Sequence, residues 1–176
     1  MSDRGGNRIS QDLIALHMAI QTEIDGYEFY SRAADQSHHP RTKALFQTVA
    51  NDEIAHRKWL EAQKASLQQE GHWLPETVPH IKGRLDTIEG LPIFAKDHIL
   101  DITAHTSELT ALRTAVLIEQ DAVNFYQRAA DQIDDPVGKE MYSFLADFER
   151  EHRRLLEEEY SFLLAAFRDA MGFAPF

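Results

Sequence analysis

The chain contains no cysteine, which rules out disulfide-stapled folds, thiolate metal sites and Cys nucleophiles together. Positive charge is also scarce: Lys plus Arg number 18 against 29 Asp plus Glu, for a formal net charge of −11. Such a surface repels phosphate backbones and anionic headgroups, so neither nucleic acid nor a membrane is an expected partner, while cations are attracted. No apolar run approaches the roughly 20 residues a membrane span needs. The polar stretch from Met1 to Gln11 lacks the apolar core of a secretory signal. Together these absences lead to the expectation of a cytoplasmic protein. What remains is ordinary for a globular chain: 43% hydrophobic and 27% charged residues over 176 positions, enough for one domain (1–176) with one sizeable core.

The informative feature is internal. The segment AIQTEIDGYEFYSRAADQ at 19–36 returns 96 positions later as AVLIEQDAVNFYQRAADQ at 115–132. The same offset pairs Pro40 with Pro136, Lys43 with Lys139, Glu53 with Glu149 and His56 with His152, giving 17 identities in 42 ungapped positions between 19–60 and 115–156. Two copies are too few for a solenoid, but two copies of a helical hairpin make one four-helix bundle. Each copy reads as helix, short break, helix, the repeats spanning about 10–70 and 107–171. Ser10 is a suitable N-cap for the first helix, which runs to about Gln36. Pro40 suits a first helical turn, opening a second helix that runs towards Gly71. The third begins near Ser107 and stops before Asp134-Asp135-Pro136; the fourth continues to about Gly172. Pro75, Pro79, Gly83, Gly90 and Pro92 mark 71–106 as a long crossover, with room for a short helix near Ile93–Ile102. The expected fold is therefore all-α.

Each helix carries an apolar seam that polar groups interrupt near its middle. In the first helix the 3-4 spacing selects Leu13, Leu16, Ile20, Glu23, Tyr27, Tyr30 and Ala34; in the third it selects Leu109, Leu112, Val116, Glu119, Val123, Tyr126 and Ala130. The second contributes Phe46, Val49, Glu53, His56 and Leu60, and the fourth Tyr142, Leu145, Glu149, His152 and Leu156. Burying an unpaired carboxylate costs several kcal/mol, and four converging ones repel each other. Two divalent cations resolve this, because four charges of −1 balance two of +2 with both imidazoles neutral. Glu-x-x-His places both ligands on one helical face, and mixed oxygen and imidazole ligands suit iron, manganese or zinc. Either Glu-x-x-His alone is weak evidence. The two occur at equivalent repeat positions, each with a seam Glu 30 residues earlier.

With AIQTEIDGYEFYSRAAD…ALF…DEIAH and its copy AVLIEQDAVNFYQRAAD…FLADFEREH, the sequence resembles the rubrerythrin branch of the ferritin-like dimetal-carboxylate superfamily. The resemblance covers both hairpins, and residues 71–106 contribute little to it. It implies two metal ions, iron foremost, with Glu23 and Glu119 as terminal ligands, Glu53 and Glu149 bridging, and His56 and His152 capping one metal each. It also implies a di-iron oxidoreductase of peroxidase or ferroxidase type, in which hydrogen peroxide or dioxygen oxidises Fe(II). The chain departs from the family in two places. It has no rubredoxin-like four-cysteine domain, so an external electron donor is needed. Gly26 and Ala122 stand three residues after Glu23 and Glu119, where no additional Glu is offered. The alternatives are an iron-binding, storage or delivery protein with little turnover, and a structural bundle with zinc or no metal. A homodimer, including one with exchanged hairpins, is compatible with the repeat.

Other residues have weaker claims. Tyr30 and Tyr126, seven residues after the seam Glu of their helices, are candidates to hydrogen-bond a ligand carboxylate or to shield or reduce the oxidant; packing is the alternative. Tyr27, opposite Val123 in the repeat, reads as core. Asp52 is a candidate to orient a ligand imidazole, although its counterpart is Phe148. His38, His39, His72, His80, His98 and His105 fall in the break or crossover and read as surface or packing residues, and His17 as partly exposed. Asp25 and Asp121 point away from the seam. Glu157-Glu158-Glu159 reads as a solvated face, with Glu159 nearest the seam.

Overall fold

The computed structural model describes residues 3–75 and 102–172. Among these the chain forms four helices and no strand: α1 (Asp3–Gln36), α2 (Pro40–Gln69), α3 (Ile102–Gln132) and α4 (Pro136–Ala170). They make the all-α four-helix bundle anticipated from the repeat. The short helix expected near Ile93–Ile102 and most of the 71–106 crossover lie outside the described residues, as do His80 and His98.

Both hairpin breaks fall where the sequence puts them, with a proline in the first turn of the helix that follows. The start of α1 differs. Ser10 lies well inside that helix, which begins at Asp3 and runs through Gly5 and Gly6. The start of α3 likewise moves forward from Ser107 to Ile102. α2 ends before Gly71, whose φ of +76° is a left-handed conformation open to glycine at little cost.

Each hairpin, α1 with α2 and α3 with α4, packs along its length, and the two hairpins meet through α1–α3 and α2–α4. Tyr30 of α1 reaches Glu119 of α3, and Tyr126 of α3 reaches Glu23 of α1. The residue pairs run in opposite senses, so α1 and α3 are antiparallel. The core divides into two apolar layers. One contains Leu16, Ile20, Leu60, Tyr126, Tyr142 and Leu145; the other contains Tyr30, Phe46, Val49, Leu112, Leu156 and Leu163. Repeat-equivalent residues fall in opposite layers: Leu16 against Leu112, Tyr142 against Phe46, Leu60 against Leu156. The bundle thus has an approximate two-fold axis, and the polar seam residues lie between the layers.

The seam holds with one correction. Tyr27 is 39% exposed rather than core. The position facing inward is Gly26, where an added Cβ would sit 3.2 Å from the Glu53 carboxyl carbon. A helix turns about 100° per residue, and here the inward face runs through residues 23, 26 and 30, leaving 27 at its edge. The shorter Val123 at the equivalent place in α3 is buried.

Candidate metal centre

Six residues from four helices converge between the apolar layers: Glu23, Glu53, His56, Glu119, Glu149 and His152, each at most 5% exposed. Their ligand atoms form two overlapping groups, Glu23–Glu53–His56–Glu149 and Glu53–Glu119–Glu149–His152, with all ligand atoms of a group within 4.8 Å of one another. Glu53 and Glu149 belong to both groups, whereas Glu23 and Glu119 each belong to one. This arrangement follows from two Glu-x-x-His helices facing each other, each with a Glu from its hairpin partner.

The imidazoles present Nδ1 to the carboxylates. His56 Nδ1 lies 3.1 Å from Glu23 Oε2, 3.4 Å from Glu149 Oε1 and 3.9 Å from Glu53 Oε2. His152 Nδ1 lies 2.9 Å from Glu149 Oε2 and 3.9 Å from Glu119 Oε1. The rings stack with centroids 5.9 Å apart. Nε2 distinguishes the two. His152 Nε2 is 3.3 Å from Asp52 Oδ2, while His56 Nε2 is buried without a hydrogen-bond partner among the described residues and its ring lies 5.1 Å from that of Phe148. The role considered for Asp52 is thus realised on one side only.

Burial pushes the Glu53 and Glu119 carboxyls well above their usual range. Glu23 and Glu149 raise Glu53 further; Glu149 raises Glu119, while His152 pulls it back. Burial alone would also raise Glu149, but hydrogen bonds from His152 and His56 outweigh it and hold that carboxylate ionised. Burial disfavours the charged imidazoles, yet Glu149 and Glu23 lift His56 to about 10. Asp52 and Glu149 likewise raise His152. The cluster's donors are carboxylate oxygen and imidazole nitrogen. That donor set and its convergence fit a pair of divalent transition-metal ions.

Tyr30 donates a hydrogen bond to Glu119 Oε1 and Tyr126 donates one to Glu23 Oε1, both fully buried. Each crosses to the opposite hairpin, so each tyrosine fixes the carboxylate belonging to the other half. Burial and the neighbouring carboxylates hold both phenols well above their ordinary range, and hence protonated.

Two buried acids elsewhere were not assigned a role from sequence. Glu159 is 1% exposed, unlike its exposed neighbours Glu157 and Glu158, because it pairs with Arg41 at 2.7 Å and accepts from Thr42 Oγ1 at 2.7 Å. Its position seven residues after His152 carried that signal. Glu108 Oε1 accepts the backbone N–H groups of His38 and His39 at 2.6 and 2.8 Å, capping α2 from another helix. His39 itself packs near Glu159 and Phe162. His17, His38, Asp25 and Asp121 are exposed.

Fold and centre together define a four-helix bundle built around a buried carboxylate–imidazole cluster. Among known families, the ferritin-like domain matches residues 11–158, and the chain belongs to that family. No match appears among curated proteins or among solved structures. No helix among the described residues is long and apolar enough to cross a membrane.

Proposed function

We propose that the protein is a rubrerythrin-like, non-haem di-iron oxidoreductase that oxidises Fe(II) with hydrogen peroxide or dioxygen and is re-reduced by an external donor. The observation that carries this reading is the pair of overlapping four-residue groups sharing Glu53 and Glu149. Glu23 and His56 would hold one ion, Glu119 and His152 the other, and the two shared carboxylates would bridge. Iron at such a site supplies a two-electron reservoir and a Lewis acid for the oxidant. The chain's own residues do the remaining work. Tyr30 and Tyr126 hold Glu119 and Glu23 in place, each with a phenolic proton beside a carboxylate oxygen. The apolar layers exclude bulk water, so charge developing in the site is poorly screened. Manganese or zinc would meet the same donors, but zinc carries no redox chemistry.

Anaerobic Fe(II) loading followed by oxidant, monitored by absorbance and Mössbauer spectroscopy, tests the proposal. The expected result is about two irons bound per bundle, oxidised together and restored by added reductant. Iron retained far beyond that stoichiometry would favour storage. A single oxidation that no reductant reverses would favour buffering or delivery. Zinc retained in preference to iron, without redox change, would favour a structural bundle.

A further inference from the structure

We propose that Trp73, Tyr142 and Tyr126 form a one-sided electron conduit between the metal centre and the end of the bundle, where the external reductant delivers its electrons. The inference rests on the proposed redox function, and it locates the entry point that a chain without cysteine cannot build from an iron–sulfur or rubredoxin-type relay.

The rings are contiguous. Tyr126 hydrogen-bonds Glu23 at the centre. Its ring stacks on Tyr142 at 6.2 Å between centroids, and Tyr142 meets the Trp73 indole edge-on at 6.1 Å. Tyr126 and Tyr142 are fully buried, and Trp73 is 4% exposed. Trp73 stands in the wall of a cavity of about 470 Å³, beside Ile9, Gly71 and the acidic residues Asp12, Asp134 and Asp135. Its position is fixed from both sides. Gln63 holds the following residue by accepting from Leu74 N and donating to Leu74 O. Gly138 makes room for the indole, since an added Cβ there would lie 2.7 Å from Trp73 Cε2.

The repeat supplies an internal control. In the other half, Tyr30 contacts Glu119, but the residue equivalent to Tyr142 is Phe46, 6.1 Å from Tyr30. The residue equivalent to Trp73 is the exposed Asp169. Packing alone is therefore satisfied by phenylalanine at this place. Only one half continues the aromatic series to the bundle end, and that half carries the more easily oxidised side chains.

The transfer balances. Tyr126 would supply one electron to an oxidised metal held at the centre, its phenolic proton moving to the Glu23 oxygen that already accepts its hydrogen bond. The tyrosyl radical takes an electron from Trp73 through the Tyr142 ring and recovers its proton from Glu23. Tyr142 acts as a bridge, because its hydroxyl has no hydrogen-bond partner among the described residues to receive a proton. Trp73 Nε1 also has no acceptor among the described residues, so the indole keeps its proton and becomes a radical cation. A one-electron reductant at the cavity then restores it. Overall a metal held at the centre would gain one electron, the donor would lose one, and no proton would be gained or lost.

The first test uses metal-free protein, in a background with the exposed Tyr27 and the half-buried Tyr160 replaced (Tyr27→Phe, Tyr160→Phe). Photogenerated tris(bipyridine)ruthenium(III), cationic like the acidic cavity requires, serves as the oxidant, followed by transient absorbance and electron paramagnetic resonance. The expected sequence is an indole radical cation followed by a tyrosyl radical that is absent in Tyr126→Phe. Trp73→Phe should lose both signals. Tyr142→Leu should keep the indole signal and lose the transfer to Tyr126, while Tyr142→Phe, which mimics Phe46, should preserve it. A tyrosyl yield unchanged by Trp73→Phe or by Tyr142→Leu overturns the conduit whatever the metal does. In iron-loaded, oxidised protein, re-reduction by hexaammineruthenium(II) should slow in Trp73→Phe with iron content unchanged; an unchanged rate overturns the assignment of the cavity as entry point. Transfer that is intact in metal-free protein supports the conduit, and failure of the same protein to bind iron counts only against the proposed function.

Discussion

Asp52 and Phe148 occupy equivalent positions in the two halves, yet they treat the neighbouring imidazoles differently. Asp52 lies against His152 Nε2, whereas Phe148 lies beside His56, whose Nε2 has no acceptor among the described residues. A carboxylate on the far nitrogen fixes the ring and makes the near nitrogen a stronger donor. Asp52→Ala is therefore expected to weaken metal binding at the Glu119–His152 position by about 10- to 100-fold while sparing the other. Isothermal titration with Co(II) should then resolve two unequal steps moving together or changing order; identical isotherms for variant and parent would count against the role of Asp52. A related expectation concerns sharing. Glu53→Ala or Glu149→Ala should weaken both metals, because each carboxylate belongs to both groups, whereas His56→Ala or His152→Ala should mainly weaken one. Metal analysis after gel filtration separates these patterns.

At the scale of elements, the two repeated hairpins end their breaks by different means. Asp135 caps α4 locally, accepting from Val137 N at 2.9 Å and Gly138 N at 3.3 Å. His39 stands in the equivalent place and makes no side-chain cap; Glu108 of α3 supplies the acceptor instead, from the other hairpin. Replacing Asp135 by Ala should cost about 1 kcal/mol, the usual value of a lost N-cap. Glu108→Ala should cost about 1–3 kcal/mol, since it strands two backbone donors. Urea unfolding measures both. The Glu108 variant should also loosen the contact between hairpins, seen as faster amide exchange at His38 and His39, and protection equal to the parent's would contradict that coupling.

For the molecule as a whole, protons and metal ions compete for the same buried charge. His56, raised from its usual 6.5 to about 10, contributes stability to the metal-free fold that is fully present below about pH 6.5 and lost as pH rises through 10. Glu53, Glu119 and His152 are raised too and act in the same direction, their contributions falling away as pH climbs through the raised values. Glu149 is lowered and acts oppositely: its contribution is present above the ordinary carboxylate range and is lost only in strong acid. Metal-free protein should therefore lose thermal stability between about pH 6.5 and 10. Metal ions displace the protons, so their affinity should rise over the same interval, and the gain in melting temperature on loading should widen. Calorimetry at a series of pH values checks this; a gain that narrows with rising pH would contradict proton displacement.

The sequence by itself determined the helical hairpins, their proline-led breaks and the six polar residues on the seam, because the 96-residue offset and helical spacing are properties of the chain alone. A carboxylate at position 53 and an imidazole at position 56 share a face of α2 however the helices pack. The start of α1 was less legible: Ser10 offers a cap, but the chain already has helical continuity from Asp3 and does not use it. Only the tertiary structure decided which carboxylates are shared, which tyrosine crosses to which glutamate, and that Tyr27 faces outward while Gly26 lies against Glu53. The same holds for the burial of Glu108 and Glu159, whose partners come from other helices. Spacing along one helix fixes a direction from its axis to within part of a turn. Docking of the second hairpin fixes the remaining rotation and the distances, and a ligand set or an aromatic path exists only once those are set.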